Sequence, residues 1–248
     1  MNNTKLYNLL KDFVIFVDKG EYDEAKLYQE FREIAKEIIF GGHFKVELAD
    51  NGGNTTTDTF RIVDVEAYFF NEEKPETKGN DWIMYHRNYY SWSKGSRQIN
   101  EDFSFPNLPL GALYTHKSGT DLTLEEKGKF RASFLLRSYI KNNEEYVETH
   151  PTYLSDDMRL NINPFEWNPK VTWIEDHSSY DDSSLKSTYR LNVAKFSDYN
   201  ESEQKEPHKV EAGEDSKKTF KSGKKTYLQD MRQWRFYDSK VEGKLKFK

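Results

Sequence analysis

Cysteine is absent from the 248 residues, which excludes disulfides, thiolate metal sites and a cysteine nucleophile together. No run approaches ~18 consecutive apolar residues, so a membrane-spanning helix is not expected. The start, Met1-Asn-Asn-Thr-Lys-Leu, lacks a signal-peptide apolar segment, and a cytoplasmic location is expected. Positive charge is not in excess: 37 Lys and Arg face 42 Asp and Glu, a net charge of −5. That balance weighs against a nucleic-acid partner at long range, although a local basic strip still binds phosphates on an acidic protein. Glycine signatures are missing as well: there is no phosphate-cradling Gly-x-x-x-x-Gly-Lys-Ser/Thr, no Gly-x-Gly-x-x-Gly after a strand and no Gly-x-Ser-x-Gly elbow. No His pair has zinc spacing, so no catalytic metal is expected.

What the chain does have is rings. The 16 Tyr, 17 Phe and 5 Trp make it 15% aromatic although hydrophobic residues total only 35%. That is too aromatic for a disordered chain. The low apolar average predicts long polar insertions beside an aromatic core.

Residues 4–18 and 22–39 carry apolar side chains at helical spacing and predict an amphipathic hairpin, closed by Gly41-Gly42 in left-handed backbone angles. His43 to Leu48 predicts a strand. In 60–70, Val63, Val65, Ala67 and Phe69 alternate with Asp64, Glu66 and Tyr68, so two acids and a Tyr project together from one strand. Residues 71–107 read as an aromatic loop. Leu110 to Lys117, a turn at Ser118-Gly119-Thr120, and Asp121 to Glu125 predict a hairpin with Tyr114 and His116 on one face. Phe130 to Lys141 predicts a third strand with Leu135, Arg137 and Tyr139 on one side, completing an antiparallel meander. Ser155 to Asn161 predicts a short capped helix. Residues 178–225 are polar and predict an exposed insertion, and Gln233 to Tyr237 predicts a last strand before a basic tail.

A carboxylate beside an aromatic platform can act as general base toward water. Alternation alone favours a plainer reading of Asp64 and Glu66, because solvated charge is the usual occupant of an outward strand face. Tyr68, His86, Tyr114 and His116 are able to sandwich a planar base, but core packing is the commoner use of Tyr on a strand. Arg87, Lys94, Arg97 and Lys117, interleaved with aromatics, and Arg137 suit a nucleic-acid backbone groove and equally a soluble surface.

The order of the segments is more specific than any one of them. Phe60-Arg-Ile-Val-Asp-Val-Glu-Ala-Tyr68 resembles the Arg-Ile-Val-Glu-Thr-Glu-Ala-Tyr motif of alkyladenine (3-methyladenine) DNA glycosylases. Asp81-Trp-Ile-Met-Tyr-His86 is similar to that family's Asp…His loop. Leu110-Gly-Ala-Leu-Tyr-Thr-His116 resembles its Pro-Gly-Thr-Leu-Tyr-Val-Tyr strand, Ser133-Phe-Leu-Leu-Arg137 its Val-Leu-Leu-Arg strand, and Trp234-Arg-Phe-Tyr237 its terminal Leu-Arg-Phe-Tyr. The match spans about residues 35–238.

The resemblance implies a single α+β domain over 1–248, with a curved antiparallel sheet flanked by helices. Its parts would be a helical hairpin (1–42), core strands and loops (43–177), a polar insertion (178–225), and a final strand with a basic tail (226–248). It also implies a monomeric enzyme that needs no metal and no cofactor and acts on double-stranded DNA, flipping a modified base into a pocket and hydrolysing its N-glycosidic bond. Glu66 would be the catalytic base and Tyr68, His86, Tyr114 and His116 the base pocket. Arg87, Lys94, Arg97, Lys117 and Arg137 would bind DNA. The turn after Tyr114 is shorter than the family's, and no Asn stands near Leu124-Glu125 where the family has its pocket Asn. The expected substrate is therefore an alkylated purine or another modified base, bulky phage-type bases included, in repair or in antiviral defence. The alternative is a non-catalytic protein of the same fold that binds DNA or another ligand.

Overall fold

The computed structural model describes residues 4–49, 54–71, 74, 77, 79–81, 110–116, 118–124, 130–160, 169–178, 180–197, 207–213 and 218–247. Two helices lead. In α1 (Lys5–Asp18), Thr4 caps the first turn by accepting from the Tyr7 amide, and Leu6, Leu10, Phe13 and Val17 form the buried stripe. In α2 (Glu24–Phe40), Asp23 accepts from Lys26 N, and Leu27, Phe31, Ile34, Ala35 and Ile38 face inward. Such caps satisfy amides that have no partner within the helix.

Gly41 does not end α2 through a left-handed angle, as expected from its type: its φ is −86° and ψ −8°. Space is the reason for glycine here. A Cβ on Gly41 would lie 2.2 Å from the Glu37 carboxylate, and one on Gly42 would lie 2.1 Å from the Ile174 carbonyl oxygen.

The strands are β1 (Gly42–Ala49), β2 (Thr55–Asn71), β3 (Leu113–His116), β4 (Gly119–Thr123), β5 (Phe130–Lys141), β6 (Lys170–Glu175), β7 (Leu185–Thr188), β8 (Thr219–Ser222), β9 (Lys225–Leu228) and β10 (Arg235–Asp238). A short helix α3 (Tyr153–Asp157) follows β5, two residues ahead of its expected start. The eight-stranded sheet runs β3-β4-β5-β2-β1-β6, with β10 joining β2 to β7, and β8-β9 form a separate hairpin. All named pairs are antiparallel, and the sheet curls into a half-barrel. The α+β single-domain architecture and the β3-β4-β5 meander are as read from the sequence.

β2 is the axis of the sheet. β5 lines one edge over Phe60–Asn71; the other edge takes β1 over Thr55–Phe60 and β10 over Asp64–Glu66. A register break lies between Ile62 and Val65 where the partner changes, as a bulge would produce. This break corrects two face assignments. Ile62, Val65, Ala67 and Phe69 join the main core with α1 and α2, while Val63 packs in a second cluster with Ile140, Val147, Tyr237 and Leu245. On β5, Tyr139 is turned into the main core and bonds Asp157, away from the Leu135 and Arg137 side. The main core is held by ring contacts such as Phe13 on Phe31 at 5.3 Å and Phe31 on Trp234 at 5.0 Å.

The hairpin turn comes one residue earlier than expected, with His116 paired to Gly119. The exposed insertion is the largest correction. Residues 185–188 are a strand of the main sheet, Arg190 is fully buried, and Val193 and Ala194 are buried. Among the described residues no helix is long and apolar enough to cross a membrane.

Candidate active site

Pairing registers place one row of side chains across four strands: Tyr114 opposite Asp121, Asp121 opposite Leu135, and Leu135 opposite Glu66. Partners in register share a face, and this face is the one turned away from α1 and α2. A cavity of about 220 Å³ opens on it, lined in part by Glu66, Tyr68, His116, Asp121, Arg137 and Asn192. Gly119 stands against Leu135, one of the lining residues. Its φ is +147°, and a Cβ there would lie 2.7 Å from Leu135 on the cavity wall.

Glu66 is fully buried from solvent yet borders the cavity. Its Oε1 accepts from the Leu191 amide at 2.9 Å and lies 3.2 Å from Arg137 Nη1, while Oε2 accepts from the Tyr68 hydroxyl at 3.0 Å. A carboxylate has about four acceptor positions; among the described residues three are filled, two on Oε1 and one on Oε2, which leaves Oε2 capacity for a further donor. Burial, and then the Glu66 charge, push the Tyr68 phenol well above its usual range, which keeps it a donor.

Arg137, expected to bind DNA, borders the cavity and is drawn to two acids. Its side chain is 13% exposed and sits between Glu66 and Asp64, 3.8 Å from the latter. Asp64 in turn takes both Nε (2.9 Å) and Nη2 (2.6 Å) of buried Arg235. The two acids of the alternating strand thus divide the work: Asp64 is locked in a structural ion pair, and Glu66 faces space.

His116 presents its ring to the cavity. The Ser118 amide donates to Nδ1 (3.2 Å), so the proton lies on Nε2, which faces Asp121 Oδ1 at 3.0 Å. Asp121 Oδ2 accepts from Ser133 at 2.8 Å. Tyr114 stands beside His116 with ring centroids 5.8 Å apart. His86, Arg87, Lys94, Arg97 and Lys117 lie outside the described residues. Asp81, at the head of the expected Asp…His loop, is an anchor: it accepts from Phe69 N, from both Nη1 and Nη2 of Arg190, and from Arg232. Arg190 lies 4.8 Å from the Tyr68 ring centroid and 5.2 Å from that of Trp234, backing the Tyr68 wall with a cation.

The wall that the sequence did not announce is the turn 190–193. Gln229 ties it down, its Nε2 donating to the carbonyls of Arg190 (2.8 Å) and Val193 (2.9 Å). Asn192 between them adopts φ +57°, a region Asn visits more readily than most residues. Among the described residues no cluster of three His, Asp or Glu is placed to hold a metal ion.

No protein-family model and no curated protein matches the chain. The functional reading therefore stands on the geometry and on the ordered motifs. Four expected site residues, Glu66, Tyr68, His116 and Arg137, border one cavity.

Proposed function

We propose that the protein is a monofunctional DNA glycosylase, acting in the cytoplasm on duplex DNA that carries a modified base. The observation that carries this reading is Glu66, a charge-compensated carboxylate with one acceptor position left, on the wall of a ring-flanked cavity. About 150 Å³ accommodates a benzene ring in a protein interior, so about 220 Å³ suits one planar base rotated out of the stack. Tyr68 and His116 offer flat surfaces to it. A water on Oε2 of Glu66 would attack C1′ of the sugar; the C1′–N bond breaks, the base leaves with the electron pair, and Glu66 takes the water's proton. Arg137 and Tyr68 hold the carboxylate in position.

The test is incubation with duplexes bearing a broad panel of modified bases, with mass spectrometry of released bases and alkaline cleavage at abasic sites. Wild type is expected to release at least one of them. Glu66→Gln is expected to release it at least ~100-fold more slowly while still binding the duplex. Equal release by the two proteins, or none by wild type across the panel, sinks the catalytic assignment. The second reading, a binding pocket without chemistry, draws on the three donors already on Glu66 and is the outcome if duplexes are bound and none is cleaved.

A further inference from the structure

Residues 218–229 hold four lysines and no acid in a chain whose net charge is −5. They fold as the β8–β9 hairpin, with Phe220 opposite Tyr227 and a two-residue tip, Gly223-Lys224, in which Gly223 has φ +62°. Neighbouring chain supports the hairpin through bridges from Glu211 to Tyr227 and from Ala194 to Gln229. Lys225 is paired with Glu211 at 2.5 Å, and Lys218 lies 5.3 Å from the Tyr189 ring centroid. Lys221 and Lys224 are exposed and make no ion pair among the described residues.

The hairpin is not remote from the site. Its first strand borders a second cavity of about 310 Å³, lined in part by Tyr189, Lys218, Phe220 and Gln229, which shares Leu191 and Asn192 with the Glu66 cavity. One turn therefore separates the candidate base pocket from a lysine-bearing ribbon. A nucleotide whose base enters the pocket keeps its phosphates outside the mouth, where exposed Asn192 stands. Arg137, the described basic residue expected to meet DNA, is occupied by Glu66 and Asp64.

We infer that the β8–β9 hairpin is the arm that holds the DNA backbone beside the pocket, with Lys221 and Lys224 on phosphates. This rests on the glycosylase reading for the identity of the partner as duplex DNA, but not on catalysis. Each phosphate contact adds about 0.9 to the slope of log affinity against log salt, and removing one lysine contact lowers the slope by about one.

The experiment titrates a short unmodified duplex into the full chain between about 50 and 200 mM salt. Lys221→Gln with Lys224→Gln is expected to lower the slope by about two and to weaken modified and unmodified duplexes equally. Lys19→Gln with Lys26→Gln, exposed positions on the helical hairpin across the sheet, is expected to leave the slope unchanged. An unchanged slope in the hairpin variant overturns the inference, as does a wild type that binds anionic vesicles and not duplex. Base release by wild type together with an unchanged hairpin slope removes the arm and leaves the enzyme. A hairpin-dependent slope without any base release does the reverse.

Discussion

At His116 both ring nitrogens are engaged within the fold, Nδ1 by the Ser118 amide and Nε2 by Asp121, and the residue lines the cavity, so a ligand there would meet the ring through its face. His116→Phe keeps that face, and affinity for a modified-base duplex is expected to fall less than about 3-fold. His116→Ala removes it and is expected to cost about 5- to 150-fold, the equivalent of ~1–3 kcal/mol for one stacked base. Fluorescence anisotropy well below the melting temperature separates the two, because His116→Phe also removes the hydrogen bond between His116 and Asp121, at about 1–3 kcal/mol of stability. Equal losses in the two variants would mean that a ring nitrogen, not the face, contacts the ligand. Glu66 and Tyr68 were legible as a pair because strand period 2 fixes i and i+2 on one face. Asp121 was not, because its opposition to Leu135 and thence to Glu66 depends on registers among three strands. The Leu191 amide on Glu66 lies 125 positions away in the chain, a distance over which local pattern carries no signal.

The helices and most strands follow from periodicity and caps, and their bounds fall within a few residues of the pattern. Failures occur where long-range pairing decides. The break at Ile62–Val65 reverses Val63, and polar composition hides β7 because its pairing with β10 needs only backbone groups on a short segment. The turn 190–193 is a similar case: a buried Arg and a buried Gln, both polar in any composition count, build a wall of the cavity. Gln229 donates there to three carbonyls, those of Arg190, Val193 and Asp230. Gln229→Ala removes those bonds, although Val193 O keeps the Asp230 amide, and is expected to lose about 1–3 kcal/mol, with weaker ligand binding because Leu191 and Asn192 lose their support. Gln229→Glu is expected to be worse, since a carboxylate cannot donate and would face three carbonyl oxygens. Thermal unfolding should order the proteins wild type, Ala, Glu from most to least stable; a Glu variant as stable as wild type would show that the clamp does not hold the turn.

The molecule as a whole is a curled sheet with the aromatic core under the helices on one face and a smaller cluster, closed by the C-terminal segment, on the other. That segment is not a free basic tail: Lys246 accepts from Arg235 through its carbonyl, and Phe247 packs edge-on to Tyr237 at 5.0 Å. Tyr237 is the titratable member of the small cluster. Burial, and its hydrogen bond of 3.0 Å to Glu242, push its phenol up to about 12. The fold therefore favours the protonated ring, whereas the unfolded chain ionises near pH ~10. The stability this contributes is fully present below pH ~10 and is lost as pH rises from there to about 12. Tyr139, raised in the same sense by burial and by Asp157, adds a loss of the same sign. Urea unfolding at pH 8, 10 and 11.5 (approximate settings spanning that window) should show wild type losing stability across it. Tyr237→Phe is expected to start lower by ~1 kcal/mol for the missing hydrogen bond and to decline less steeply, because one of the raised phenols has been removed. Parallel declines in the two proteins would mean that the second cluster does not open by ionisation of Tyr237.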